Sequence, residues 1–312
     1  MTLPEKAGSI GHVTDLAAAP QRAPEPATEL DRAVRVAEAA ALASGVTVRE
    51  LAGLGELEQV VDLYAGIWGR STNPPVTLEL LRAFTKAGNY VGGAFAEGRL
   101  VGACVGFFHA PGDDALHSHI AGVSPEVVGR SVGFALKLHQ RSWALLRGVS
   151  DIAWTFDPLV SRNAYFNVGK LAARPVEYLT NFYGLMPDSL NGQDETDRLL
   201  VRWRLLDPAV VAACSGTRVP FPAGPEGPDG PDGEVVTAVG VGDDGSPVPG
   251  RLDAAVLRVA VPRDISGLRV TDPVLAHRWR TSVREALAAL LADGARITAF
   301  DPAGWYVVRR DL

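Results

Sequence analysis

Val123-Ser-Pro-Glu-Val-Val-Gly-Arg-Ser-Val-Gly-Phe-Ala-Leu-Lys137 decides the reading of this chain, because it turns an apolar strand into a helix through Arg130-x-x-Gly133-x-Ala135. The strand Leu116 to Val123 ends at Ser124-Pro125, and a helix is expected from about Glu126 to Arg147. The first turn of such a helix presents unpaired N–H groups and the positive end of its dipole, so an anion fits in front of it. A side chain at Gly129 or Gly133 would hold a phosphate away from those donors, and Arg130 would add a charge-assisted contact. A helix start with a packing glycine is the plainer reading of so short a pattern, so the surrounding elements matter.

Upstream, Val46 to Leu51 alternates like a short strand, and Leu54, Leu57, Val60, Val61, Tyr64, Ile67 and Trp68 recur at helical spacing. Thr77 caps a further helix to about Lys86. Tyr90 to Ala96 and Arg99 to Phe108 flank Glu97-Gly98, the mark of a tight hairpin. Downstream of the long helix come a strand Ile152 to Phe156, a helix from Ser161 to about Leu171, and strands Val176 to Phe182 and Arg198 to Leu205.

The stretch resembles the acyl-CoA-binding signature of the GNAT (N-acetyltransferase) superfamily, Gln/Arg-x-x-Gly-x-Gly/Ala at the start of a helix after a central strand, with Arg130, Gly133 and Ala135 in the signature positions. The order strand, two helices, three antiparallel strands, helix, strand, helix, two strands is similar to that superfamily's as well. The whole layout looks like poorly characterised bacterial members with a C-terminal α/β extension. The resemblance implies an α/β fold of GNAT type, a mixed and mostly antiparallel sheet with helices on both faces. It also implies that the strands around the signature helix splay apart, with a pantetheine arm between them.

The activity so implied is an acyl-CoA-dependent N-acyltransferase, with acetyl-CoA or another short acyl-CoA as co-substrate. The acceptor would be the amine of a small molecule or amino acid, acylated by direct attack. The resemblance would put cofactor contacts at Ala121, Gly122, Val123, Gly129, Arg130, Ser131, Val132, Gly133, Phe134, Ala135, Asn163 and Phe166. The rival reading is a non-catalytic acyl-CoA-binding or regulatory protein.

Ser161-Arg-Asn-Ala-Tyr-Phe-Asn-Val-Gly-Lys-Leu-Ala172 resembles the superfamily's Asn-x-x-Ala-x-x-Leu-Tyr-x-x-x-Gly-Phe segment when Ala164 is matched to its Ala. Val168 then takes the place of the Tyr that often protonates the departing CoA thiolate. Tyr165, one turn earlier, and Asn167, next door, are the candidate donors; the alternatives are a packed aromatic at Tyr165 and a thiolate that leaves unassisted or takes a proton from water. A protonated amine acceptor needs a base, and His117 and His119, two apart on a strand and so on one face, are the candidates. The alternatives are a structural role, and a His-x-His metal pair for which no third ligand is visible. No metal is expected.

With 312 residues, 47% hydrophobic and 21% charged, the chain can bury one sizeable core and a smaller one. A net charge of -6 gives no general field for nucleic acid or an anionic membrane, and no apolar run reaches a membrane span of roughly 20 residues. Two cysteines, Cys104 and Cys214, form no disulfide framework, which suits the cytoplasm. Residues 1–29 are expected to be disordered and 30–45 to form a helix, ahead of an acyltransferase domain over 46–207. Pro and Gly fill 14 of the 30 positions from Phe221 to Gly250, so 208–250 reads as a flexible linker. Residues 251–312 read as an α/β unit that packs on the core or on a partner subunit, with extension of the sheet as one arrangement. A homodimer is the candidate assembly. His139 reads as a core histidine, Asp157 as a turn residue or an acceptor contact, and Arg278, Arg280 and Arg284 as a solvated basic face, while the resemblance implies that Trp68, Arg70 and Asn73, between the first two helices, are candidate specificity residues of an acceptor pocket.

Overall fold

A computed structural model describes residues 28–184, 186, 194–217 and 235–310. The disorder expected of 1–29 therefore falls, up to residue 27, outside the described residues. The first sheet begins after helix α1 (Glu29–Ala43), which starts in a capping box between Thr28 and Asp31. Strand β1 (Thr47–Glu50), helices α2 (Leu54–Trp68) and α3 (Leu78–Lys86), and strands β2 (Tyr90–Ala96), β3 (Arg99–Phe108) and β4 (Ala115–Val123) follow. The β2–β3 turn places Glu97 and Gly98 at φ 50° and 77°, the left-handed pair that a two-residue hairpin requires.

Helix α4 (Val132–Leu145) and strand β5 (Asp151–Phe156) come next. Helix α5 (Ser161–Ala164) then continues as a wide π turn over Tyr165–Lys170 before β6 (Arg174–Leu179), β7 (Arg198–Arg204) and α6 (Pro208–Cys214). The strand order is β1-β2-β3-β4-β5-β7-β6, and within it only β4 and β5 run parallel. The result is the mixed, mostly antiparallel α/β fold that the sequence implied. Helices cover both faces. On one, Leu57, Val60 and Tyr64 of α2 and Leu81 of α3 meet Val91 and Val105. On the other, α4 packs Val132, Ala135 and Leu136 against Val101, Cys104 and Leu116. The small Ala33, Ala37 and Ala41 bring α1 close against α4, and the buried Arg141 ties the pair by donating to Glu29 at 2.9 Å.

The remainder forms a second sheet, ordered β11-β12-β10-β8-β9, from β8 (Val235–Val241), β9 (Pro247–Pro249), β10 (Val256–Ala260), β11 (Arg296–Asp301) and β12 (Trp305–Arg309). Helices α7 (Ile265–Thr271) and α8 (Pro273–Ala292) accompany it. This corrects two expectations. The stretch read as a linker over 208–250 contains α6, β8 and β9, and the C-terminal unit builds its own sheet rather than extending the first.

The two sheets meet through a charge network that includes Arg280 and Arg284, which the sequence alone assigns to a solvated face. Arg280, fully buried, grips Asp157 with both terminal nitrogens at 2.8 and 3.0 Å and reaches Asp194 at 2.7 Å. Arg269 donates to the same two carboxylates, and Arg284 pairs with Asp197 and Glu195. Burial alone would raise the Asp157 carboxyl, but Arg280 and Arg269 hold it far below the ordinary range. Asp157 is thus committed to this network and is no acceptor contact. Arg278 stays exposed. Tyr306 adds a hydrogen bond to the Pro158 carbonyl at 2.8 Å.

Candidate functional site

Strands β4 and β5 share three rungs, Ala115 with Asp151, Leu116 with Ile152 and His117 with Ala153, and then part. From Ser118 to Val123, β4 keeps its ladder with β3, while β5 keeps its own with β7. The cause is local. Val105 faces Ile120 and Gly106 faces Ser118, so His119 is an extra residue, a bulge that bends β4 away from β5. No strand pairs with this side of β4 beyond the fork, where the Tyr64 hydroxyl donates to the Ile120 carbonyl at 3.3 Å, and an extended, amide-bearing partner would complete the remaining backbone groups.

The turn after β4 is longer than the sequence suggests. Ser124-Pro125 opens a 3-10 turn (Pro125–Val127) rather than the helix, and α4 begins at Val132, six residues after the expected Glu126. Gly129 at φ +88° and Ser131 at φ +63° redirect the chain. The Ser131 hydroxyl makes no cap bond. The N–H groups of Ser131, Val132 and Gly133 therefore have no acceptor among the described residues. A Cβ on Gly133 would meet only Val123 Cγ2, at 3.7 Å, so a side chain there would find room beside these donors. Gly129 is required for its backbone angle, since nothing lies within 4 Å of a Cβ built there.

Arg130 departs from expectation. Its guanidinium donates to the carbonyls of Ser44 and Gly45 at 3.3 and 3.5 Å, where the negative end of α1 competes for it. The side chains of Val132 and Ala135 lie in the core and Phe134 packs on it, so their part in an anion site is confined to the backbone.

His117 and His119 both lie against Phe107, with ring centroids 5.0 and 5.7 Å away and 6.1 Å from each other, and His109 stands 6.1 Å from His117. Both rings therefore lie on one face of the sheet. Burial, helped by the neighbouring His119, His109 and Lys137, lowers His117 to about 4. Burial also lowers His119, whose edge remains exposed. Both are neutral imidazoles at neutral pH, able to take a proton. The same face carries Ile67 and Trp68, 2.8 and 3.0 Å from a Cβ built on Gly122, so α2 occupies that side of Gly122. Ala121 is exposed and Val123 half-buried. Arg70 is half-buried and Asn73 exposed.

On the opposite face the fork holds a residue that the sequence reading passed over. Lys137 of α4 is buried, donating to Ser118 Oγ at 2.7 Å and Gln140 Oε1 at 3.2 Å, with its ammonium 3.8 Å from the Trp154 ring centroid. Trp154 donates in turn to Asn167 Oδ1 at 3.1 Å. The signal available was the i, i+4 row Gly133, Lys137, Arg141, which puts a cation one turn behind the anion-facing glycine. In the π turn, Val168 is buried, and Tyr165 lies half-buried over Gly169 without a hydrogen bond among the described residues. Asn163 and Phe166 are half-buried beside it. His139 is hydrogen-bonded through Nδ1 to Tyr90 at 2.9 Å. Among the described residues no group of His, Cys, Asp and Glu converges on a metal position, and no helix is long and apolar enough to cross a membrane.

No protein-family model and no curated protein matches the chain. Many solved structures that resemble it are GNAT-family N-acetyltransferases. An N-acetyltransferase from Staphylococcus aureus Mu50 is 15% identical with a TM-score of 0.43, over 51% of this chain and 98% of that one. A GNAT-family acetyltransferase from Streptococcus pneumoniae is 12% identical with a TM-score of 0.42, over 50% and 97%. A GNAT superfamily phosphinothricin acetyltransferase from Sinorhizobium meliloti, in complex with AcCoA, is 16% identical with a TM-score of 0.42, over 51% and 87%. These likenesses span about half of this chain, and at such scores they carry no statement of its activity.

Proposed function

We propose that this chain is an acyl-CoA-dependent N-acyltransferase, moving an acetyl or other short acyl group to the amine of a small molecule or amino acid. The supporting observation is the fork. A β4 edge with no strand partner beyond His117 leads to three N–H groups at the start of α4 that have no acceptor among the described residues. A pantetheine arm carries amides that complete such an edge, and a diphosphate suits the donors beyond it. Ser131, Val132 and Gly133 hold the diphosphate through their backbone, and Ala121, Gly122 and Val123 pair with the arm. His119, the more open of the two histidines, takes the proton from the attacking amine. The acyl-transfer unit occupies residues 46–207, and two buried, unpaired thiols, Cys104 and Cys214, fit a cytoplasmic protein.

The rival, a binder without turnover, is favoured by the buried Val168 at the usual acid position. Calorimetric titration with CoA and with ATP, followed by incubation with acetyl-CoA and a panel of amines and amino acids, separates the readings. The proposal expects CoA to bind in preference to ATP and free thiol to be released with an acceptor present. Binding without release for every acceptor would favour the rival, and no preference for CoA would overturn both.

A further inference from the structure

Lys137 is a buried ammonium without a carboxylate partner among the described residues. Only 5% of its surface is exposed, and its contacts are the Ser118 hydroxyl, the Gln140 amide oxygen and the face of Trp154. A cation so placed loses its hydration and regains only dipoles and an aromatic face. Its position is specific. Ser118 and Trp154 are the first residues of β4 and β5 beyond the last shared rung, His117 with Ala153, so the ammonium stands at the point where the strands separate.

We infer that Lys137 is the general acid of the acyl transfer, donating an Nζ proton to the sulfur as the thiolate departs. The inference rests on the acyl-CoA reading proposed above. The acceptor nitrogen attacks the thioester carbonyl carbon and forms the C–N bond. The adduct then breaks its C–S bond, leaving the electron pair on sulfur. Lys137 protonates that sulfur, releasing CoA as the thiol, and becomes a neutral amine. The surplus proton of the nitrogen passes to His119 or water and on to solvent, and Lys137 recovers a proton from solvent before the next turnover.

The surroundings suit the task. Burial lowers Lys137 to about 8, close to the value of about 8.5 of an ordinary thiol, and an acid matched to its partner transfers the proton efficiently. The titratable groups facing it are Cys104 from β3, raised by burial, and His117 from β4, lowered to about 4. Both are uncharged at neutral pH, so neither quenches the ammonium. An acid in this place also makes the missing tyrosine at Val168 dispensable.

The test compares the full chain with Lys137→Met and Lys137→Arg. The wild type is expected to lose kcat as pH rises above about 8, where Lys137 gives up its proton. Lys137→Met should keep its affinity for acetyl-CoA, lose about 10²–10⁴-fold in kcat, and lack that alkaline limb. Lys137→Arg, which keeps the charge but holds its proton, should be similarly slow. A wild type that turns over beside variants of equal kcat would overturn the Lys137 assignment alone, whereas a wild type that binds no CoA would overturn the underlying reading with it. Should the variants fail to fold, lysine-labelled wild type decides, because Lys6, Lys86, Lys137 and Lys170 are its only lysines. One lysine resonance titrating near 8 and moved by CoA thiol is expected; four that ignore CoA would overturn the assignment.

Discussion

Arg280 and Asp157, 123 residues apart, face each other through two parallel hydrogen bonds at 2.8 and 3.0 Å. Asp157 directly follows β5, one arm of the fork, and Arg280 lies mid-way along α8. The C-terminal unit therefore grips the seven-stranded sheet beside the candidate site. A planar guanidinium fixes orientation here as a lysine would not.

Removing one partner should cost more than the pair contributes. Asp157→Ala leaves the buried Arg280 with Asp194 alone, and is expected to destabilise by about 3–5 kcal/mol. Arg280→Met leaves Asp157 its pairing with Arg269 and fills similar volume, so it should cost less. Denaturant unfolding of the two variants checks the order, and a milder Asp157→Ala would contradict it.

The same pair sets an acid limit. The Asp157 carboxyl is lowered in the folded chain, so its contribution is fully present above the unfolded carboxylate value of about 3.9 and declines as pH falls below it. Melting temperature should fall steeply below about pH 4 in the wild type and less steeply in Asp157→Asn, as scanning calorimetry across pH would show.

His119→Ala should reduce kcat by roughly 10²–10⁴-fold while leaving CoA affinity intact. Because burial lowers His119, it remains an unprotonated base below the usual value of about 6.5. The wild-type rate should then hold to below that pH before its acid limb begins. A steady-state pH profile with the best amine acceptor measures both.

Gly133→Val should weaken CoA binding by roughly tenfold or more, the loss of about 1.5–3 kcal/mol from a charge-assisted contact, with little change in stability. Its side chain would enter space bounded only by Val123 at 3.7 Å. Gly129→Ala, by contrast, should destabilise by about 1–2 kcal/mol, because its φ of +88° disfavours a Cβ. Calorimetric CoA titration beside thermal unfolding separates the two effects.

The succession of elements from β1 to β7 was legible because each rests on local signals, such as the Thr77 cap and the Glu97-Gly98 turn. Helix α4 starts later than its sequence signals imply because Ser124-Pro125, a good helix opening, serves a 3-10 turn instead. Arg130, Lys137 and Arg280 take their roles from partners 85, 19 and 123 residues away, which no periodicity encodes. The bulge at His119 was equally hidden, since it exists only as a mismatch between two strands.

One contiguous apolar cluster runs from Ala37 in α1 to Val308 in β12. During synthesis the leading half would emerge with part of that surface bare, and it cannot be sealed until the last strand has left the ribosome. Removing β12 from the chain should for this reason yield aggregated polypeptide rather than a smaller folded unit.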